Sequence, residues 1–81
     1  MKIRLAKQPQ KYLAKVDEKT REKLKRCLED VANLRGDIKK LQGHPNLFRY
    51  KVNHYRIIFE YIRGDIIITV IEINTRTNIK Y

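Results

Sequence analysis

Apolar and polar side chains alternate along residues 47–61, LFRYKVNHYRIIFEY, on both sides of a central Asn53-His54 pair. Alternation with a period of two is typical of strands that bury one face. Asparagine tolerates the positive φ that a two-residue turn requires. The stretch therefore predicts a β-hairpin, two antiparallel strands that reverse direction at Asn53-His54.

The predicted turn also fixes which residues lie opposite one another, because the register is counted outward from it. Arg49, Lys51 and Arg56 then share one face, and the aromatic and aliphatic side chains take the core face. Because two cations opposite each other oppose folding, we expect the cationic face to bind a polyanion. The alternative is a solvated face whose charges deter edge-to-edge pairing. The predicted pairs are Val52 with Tyr55, Lys51 with Arg56, Tyr50 with Ile57 and Arg49 with Ile58.

Length and charge limit the classes of protein to consider. The 81 residues are enough for one domain, 1–81, and carry 19 Lys or Arg against 9 Asp or Glu, for a net charge of +10. Both residues 1–37 and residues 38–81 are +5, so the excess belongs to the folded body. Such a field favours nucleic acid or an acidic protein as partner. The sequence predicts no cofactor and no metal site.

The cellular location follows from what the sequence lacks. No apolar run reaches membrane-spanning length, and the N-terminal residues have no apolar signal-peptide core. A lone Cys27 excludes an internal disulfide. We therefore expect a cytoplasmic protein without membrane contact.

The residues before the hairpin predict one strand and two helices. Residues 2–5 alternate as a short strand, and Pro9 suits the first turn of a helix over residues 9–16. Asp17 is placed to cap a second helix, which Gly36 would end. Residues 37–46 are predicted to be an irregular connector. The apolar stripe of the second helix comprises Leu24, Cys27, Leu28, Val31 and Leu34.

The residues after the hairpin predict a second tight turn at Arg63-Gly64 and a buried central strand over residues 66–73. Pairing this strand with its predecessor places Ile66, Ile68 and Val70 opposite Tyr61, Phe59 and Ile57. The element order is then β-α-α-β-β-β, an α+β fold with two helices on one face of a mostly antiparallel sheet. Four isoleucines are expected to form an apolar floor beside the cations: Ile58, Ile67, Ile71 and Ile73.

Other reactive residues have ordinary explanations. Cys27 lies within the apolar stripe and is expected to be a core residue. His44 and His54 fall in predicted loops, where a histidine is more often a bystander than a catalytic acid or base. The cations on the outside of the second helix are expected to be solvated, and contact with a phosphate backbone is the alternative.

With these elements assembled, the whole chain resembles the RelE/ParE superfamily of bacterial and archaeal toxins. The resemblance is strongest in residues 40–61, KLQGHPNLFRYKVNHYRIIFEY, and continues in the Ile, Arg and Tyr spacing of residues 71–81. It implies a compact fold like that of microbial ribonucleases. It also implies that Lys51, Arg56, Arg76 and Tyr81 are catalytic. The phosphate-binding residues that it implies are Arg49, Lys51, Arg56 and Lys80.

RelE-type members of this superfamily enter the ribosomal A site and cleave the bound mRNA, so the resemblance implies a metal-independent endoribonuclease that inhibits translation. Lys51 is the best candidate for the general base because neighbouring arginines disfavour its charged form. Two alternatives remain open. ParE-like members poison DNA gyrase, and a short tail together with Arg49, where relatives often carry lysine, suits an inactive RNA-binding module.

The resemblance further implies a cognate antitoxin. A domain of charge +10 with an exposed cationic sheet favours binding of an acidic, partly disordered partner that folds on binding. We expect its acidic residues near Arg49, Lys51, Arg56 or Arg76 and an amphipathic helix over the isoleucine floor. The alternative is that the chain's own C-terminal segment covers those isoleucines.

Overall fold

The computed structural model describes residues 1–75, which form one five-stranded sheet with both helices packed on one face. The strand order is β1-β5-β4-β3-β2. Every neighbouring pair is antiparallel except β1 with β5, so the predicted α+β class is confirmed. The predicted site residues Arg76, Lys80 and Tyr81 lie outside the described residues. The elements are β1 (Lys2–Leu5), α1 (Lys7–Lys15), α2 (Glu18–Ala32), β2 (Asp37–Lys40), β3 (Leu47–Val52), β4 (Tyr55–Tyr61) and β5 (Ile67–Thr75).

The core lies between α2 and the inner face of the sheet. On this inner face, the rings of Phe48 and Phe59 stack at 5.5 Å between centroids. Close packing of such apolar surface is the main force that holds a small domain together. The buried core residues are Leu24, Cys27, Leu28, Val31, Tyr50, Ile57, Phe59, Ile68, Val70 and Ile73.

The hairpin is confirmed in both its turn and its register. Asn53 has φ +52°, the left-handed conformation expected at the first turn position. Lys51 lies opposite Arg56 and Arg49 lies opposite Ile58, as counting from the turn predicts. The alternation of the sequence and the geometry of the turn require the same register, which is why it could be predicted.

The predicted connector is wrong for its first four residues, which form strand β2. Asp37–Lys40 pairs antiparallel with β3, and Ile38 lies opposite the buried Tyr50. With one apolar residue in four, this segment carries too little alternation to be recognised as a strand. Lys39 and Lys40 suit an edge position, because charged side chains discourage pairing with another molecule.

The helix boundaries differ from prediction at both helices. Helix α1 starts at Lys7, so Pro9 is its third residue, where a backbone N–H has no acceptor within the helix in any case. Asp17 caps α2 as predicted, and its Oδ1 accepts a hydrogen bond from the Thr20 backbone N–H at 3.3 Å. Only two residues, Val16 and Asp17, lie between the two helices.

The C-terminus of α2 is closed by Leu34 and not by Gly36. Leu34 has φ +52°, and its N–H donates to the Val31 carbonyl at 3.0 Å. The N–H of Arg35 donates to the Asp30 carbonyl at 2.8 Å, which completes a Schellman motif. Leu34 is therefore 41% exposed, and its predicted place in the apolar stripe is wrong.

Strand β5 is an interior strand as predicted, but its predicted register and first residue are wrong. The turn at Arg63-Gly64 is confirmed, yet Ile66 lies before the strand and is 67% exposed. Tyr61 pairs with Ile68, two residues later than expected. A bulge then places Ile71 between the residues opposite Phe59 and Ile58, and it shifts the register by one more residue.

The bulge reverses which side chains reach the core beyond it. Ile57 lies opposite Ile73, which is fully buried among the core residues. The prediction that Ile73 belongs to the apolar floor beside the cations is therefore wrong. The mostly apolar residues 66–71 hid the bulge, because both registers place an isoleucine or valine at each core position up to Val70.

Candidate functional site

The sheet face opposite the helices, here called the open face, is organised in rows that cross the strands. Paired residues on neighbouring strands point to the same face, so the register defines each row. We name the rows by their distance from the Asn53-His54 turn. The turn row is Asn74, Arg56, Lys51 and Asp37; the middle row is Glu72, Ile58, Arg49 and Lys39; the far row is Arg4, Thr69, Glu60 and Leu47.

The three hairpin cations predicted to act together do lie together. Lys51 and Arg56 are direct partners in the turn row, and Arg49 is two residues from Lys51 on the same strand. All three are half-buried, and none has an ion pair or side-chain hydrogen bond with another of residues 1–75. Adjacent positive charges that form no ion pair within this part of the chain are suited to binding an anion.

One atom of this cluster is unusual. The Arg49 Nε is buried and has no hydrogen-bond partner among the described residues. A buried donor without an acceptor costs about 1–3 kcal/mol. Such an atom indicates an acceptor supplied from elsewhere, and guanidinium groups suit phosphate oxygens because they offer several donors in a planar fork.

Three carboxylates on the open face did not enter the predicted site: Asp37, which lies opposite Lys51 in the turn row, Glu72 and Glu60. Glu72 lies beside Ile58 in the middle row and accepts a hydrogen bond from Asn74 Nδ2 at 2.5 Å. Glu60 lies in the far row, half-buried. The alternation of β4 was enough to place Glu60 on this face, whereas Glu72 reaches it only because of the bulge.

The other predicted site residues have mixed outcomes. Ile58 and Ile67 lie on the open face, half-buried, and the bulged Ile71 is 37% exposed. His44 and His54 are exposed in loops: His44 lies between β2 and β3, and His54 lies in the turn beside the turn row, two residues from Arg56. The roles of Arg76, Lys80 and Tyr81 stay predictions.

A residue that sequence reasoning missed holds the end of β5. The Gln8 side chain donates from Nε2 to the Ile73 carbonyl at 2.9 Å and accepts from the Ile73 N–H at 2.8 Å. These two bonds take the place of a strand neighbour, because the pairing of β1 with β5 ends at Leu5 and Val70. Gln8 thereby fixes the part of β5 that leads into residues 76–81. A glutamine near the start of a helix gives no signal of this role in the sequence.

Neither the cysteine nor an acidic cluster offers a second reactive centre in residues 1–75. Burial raises the pKa of the Cys27 thiol, and the nearby Asp30 carboxylate raises it further, so the neutral thiol is favoured. In these residues no three His, Cys, Asp or Glu side chains are grouped so as to hold a metal ion. No helix in the described range has the length and apolar character needed to cross a membrane.

Known proteins share this fold and much of this sequence. A family model described as the ParE toxin of a type II toxin–antitoxin system, parDE, matches residues 3–79. Toxin RelE3 of Methanocaldococcus jannaschii is 38% identical over 74 residues, which cover 84% of this chain and 83% of that protein. A match over nearly the whole chain and a relative at this identity both identify the family.

Solved structures agree in fold. The RelB-RelE antitoxin-toxin complex from Methanococcus jannaschii matches with a TM-score of 0.70 and 29% identity, covering 91% of each chain. The archaeal RelE-RelB complex from Pyrococcus horikoshii OT3 matches with a TM-score of 0.73 over 96% of this chain and 97% of that one; at 20% identity it supports the fold alone. This chain therefore belongs to the RelE/ParE superfamily and is a toxin of a type II toxin–antitoxin system.

Proposed function

We propose that the protein is a ribosome-dependent endoribonuclease that cleaves mRNA in the ribosomal A site and so inhibits translation in the cytoplasm. The observation that carries this proposal is the cluster of Arg49, Lys51 and Arg56 on the open face, with its buried and unpartnered Arg49 Nε. The identity to a RelE toxin supports the same choice. A phosphodiester in contact with this cluster would supply the missing acceptors.

The proposed reaction is transesterification within the RNA. The 2′-oxygen attacks the adjacent phosphorus while its proton passes to a base, and the bond to the 5′-oxygen breaks as that oxygen gains a proton. The products are a 2′,3′-cyclic phosphate and a 5′-hydroxyl. Because the substrate carries its own nucleophile, the protein has to supply proton transfer and stabilise the charge of the phosphorane-like transition state, without a metal.

The open face offers groups for proton abstraction and for charge stabilisation. Arg49 and Arg56 would hold the phosphate, since guanidinium groups stay charged and bind two oxygens at once. Lys51, between them in the register, is the proposed base. Arg76 and Tyr81 are proposed to stabilise the leaving group and to orient the reacting nucleotide, with Lys80 as a further phosphate contact.

Single substitutions test this assignment. Lys51→Ala and Arg76→Ala should each slow cleavage of ribosome-bound message by about a hundredfold or more, the usual effect of losing an acid–base or charge-stabilising group. Lys39→Ala is the matched control, because Lys39 lies on the same face at the exposed sheet edge. The readout is cleaved mRNA with a cyclic phosphate end, with circular dichroism to verify folding.

Two outcomes would contradict this assignment. Full activity in both variants would exclude this site. Salt-dependent RNA binding without any cleavage by the wild type would favour the inactive module.

A second candidate function is inhibition of DNA gyrase, which the match to the ParE family model favours. Fold alone does not separate these functions, because function depends on the site. The two are distinguished by adding purified protein to a translation extract and to a supercoiling assay. Inhibited supercoiling with intact mRNA would establish the gyrase function and reject the ribonuclease.

We also propose a cognate antitoxin as protein partner, since the similar structure from Methanococcus jannaschii is described as an antitoxin-toxin complex. An acidic segment suits the open face, where the three cations make no ion pair with another of residues 1–75. Ile58 and Ile71 would give an amphipathic helix apolar contacts beside those cations, and Ile67 would add apolar surface beyond the far row. An antitoxin bound in this way would cover the cation cluster and so prevent RNA from reaching it.

A further inference from the structure

The far row of the open face contains a recess that the proposed reaction does not use. Its volume is about 270 Å³, and it lies at the sheet end farthest from the Asn53-His54 turn. We call it the Glu60 recess. It is lined by Arg4, Glu60, Ile62, Asp65, Ile67 and Thr69.

The recess lies within reach of an RNA strand held by the cation cluster. Arg56, Ile58 and Glu60 occupy alternate positions of β4 on the open face, and Arg49 lies opposite Ile58. Two residues of a strand span about 7 Å, so Glu60 is about 7 Å from the row of Arg49 and about 14 Å from that of Arg56. These spans match the separation between a bound phosphate and bases of the same or adjoining nucleotides.

The polar groups of the recess lack partners in the described part of the chain. Neither Arg4 nor Glu60 makes an ion pair or a side-chain hydrogen bond within residues 1–75. Glu60 is nevertheless half-buried, so part of its hydration is lost. Ile62 and Ile67 add apolar surface to the same recess.

A carboxylate on this face is unfavourable for binding phosphates, which it repels. It is favourable for binding a base, because bases present amino and imino donors that a carboxylate accepts. Arg4 adds donors for a ring nitrogen or carbonyl oxygen. The isoleucines add apolar contact for the flat face of the ring.

We propose that the Glu60 recess binds an unstacked RNA base and selects for an exocyclic amino group, which favours cytosine, adenine and guanine over uracil. Glu60 would accept from the amino group, and Arg4 would donate to an acceptor on the same base. The inference rests on the proposed function only in placing RNA on the open face.

The test uses the full chain and RNA that it cannot cleave. The probes are 2′-O-methyl hexanucleotides, which lack the attacking hydroxyl: six uracils, and the same sequence with one central cytosine. Binding is measured by fluorescence anisotropy at fixed salt. The wild type should prefer the cytosine probe by about tenfold, the size of one specific base contact. Glu60→Gln should abolish that preference, because an amide can donate to the uracil carbonyl.

Glu72→Gln is the matched control, since it removes the same charge from the same face outside the recess. It should tighten binding of both probes equally and keep the preference for cytosine. Equal effects of the two substitutions, no preference in the wild type, or no binding of either probe would overturn the inference. Loss of antitoxin binding in Glu60→Gln with unchanged base preference would also overturn it and identify a protein contact. Cleavage of ribosome-bound message is scored separately, so failure of the proposed function is distinguishable.

Discussion

The backbone at Gly36 passes so close to the Tyr50 ring that a side chain has no room. A Cβ on Gly36 would lie 2.5 Å from Tyr50 Cε1, and the residue has φ +104°. Gly36→Ala should therefore lower the free energy of unfolding by about 2–4 kcal/mol, the sum of backbone strain and overpacking. Urea denaturation followed by circular dichroism measures the change.

Gly43→Ala is the control for this substitution. Gly43 has φ +81°, but nothing lies within 4 Å of an added Cβ, so only the backbone cost of about 1 kcal/mol applies. The difference between the two variants reports the contact with Tyr50. Equal losses would show that this contact does not restrict residue 36.

Tyr50 also makes stability depend on pH. Its hydroxyl donates to Asp30 Oδ2 at 3.0 Å, and burial, followed by this hydrogen bond, raises the pKa of Tyr50. The folded state thus holds the phenolic proton more tightly than the unfolded state does. Its contribution is complete below about pH 10, the ordinary tyrosine pKa, and is lost as pH rises further.

Tyr50→Phe should cost about 1–2 kcal/mol at neutral pH, since the Asp30 carboxylate loses its donor. It should also reduce the fall in unfolding free energy above about pH 10. The pKa values of Tyr12 and Cys27 are raised too, so part of the alkaline decline should remain. Denaturant titrations between pH 7 and pH 11 test this, and parallel declines in both proteins would contradict it.

Among the elements, the end of β5 depends on a side chain of α1. Gln8→Ala removes both hydrogen bonds to Ile73 and leaves an interrupted strand edge. The expected loss is about 1–3 kcal/mol, with faster amide hydrogen exchange at residues 73–75. Gln10→Ala is the control, because Gln10 makes one exposed bond to the Leu5 carbonyl. Similar exchange in both variants would show that Gln8 is not what holds β5.

The elements also show how far a sequence determines a sheet. The β3–β4 hairpin could be predicted to the residue, because turn length and alternation require one register. The cation cluster followed from that register. β2 could not be recognised, since a short edge strand is defined by its neighbour more than by its own residues. The bulge at Ile71 was also hidden, as residues 66–71 are apolar on both faces except for Thr69.

The wrong register predicted for β5 also changed the predicted composition of the site. A wrong register moved Ile73 from the core to the open face and kept Glu72 out of the predicted site. The unpartnered Arg49 Nε was equally beyond prediction, because burial of one atom depends on packing in three dimensions. Residue type and alternation identify the charges of a face but not their hydration.

At the scale of the whole molecule, we expect the positive charge to raise the association rate with an acidic partner. Reversing charge in the double variant Arg49→Glu/Arg56→Glu should slow antitoxin association by tenfold or more at low salt and flatten its salt dependence. Lys23→Glu/Arg26→Glu changes net charge equally on the exposed surface of α2. Stopped-flow association over a range of salt concentrations measures both. A larger effect of the helix variant would mean that the antitoxin docks on the helices.

The parallel pairing of β1 with β5 has a consequence for how the protein is made. Lys2 lies opposite Ile67, and the bonds between Gln8 and Ile73 span 65 residues. During translation, β1 and α1 leave the ribosome long before their partner strand exists. Ile68, Val70 and Ile73, which complete the core, are all on β5. A nascent chain that stops before residue 67 therefore lacks β5. Without β5, β1 has no strand to pair with and one edge of β4 is left unpaired. The folded protein can therefore form only after β5 has emerged from the ribosome, and every earlier nascent chain lacks the complete core.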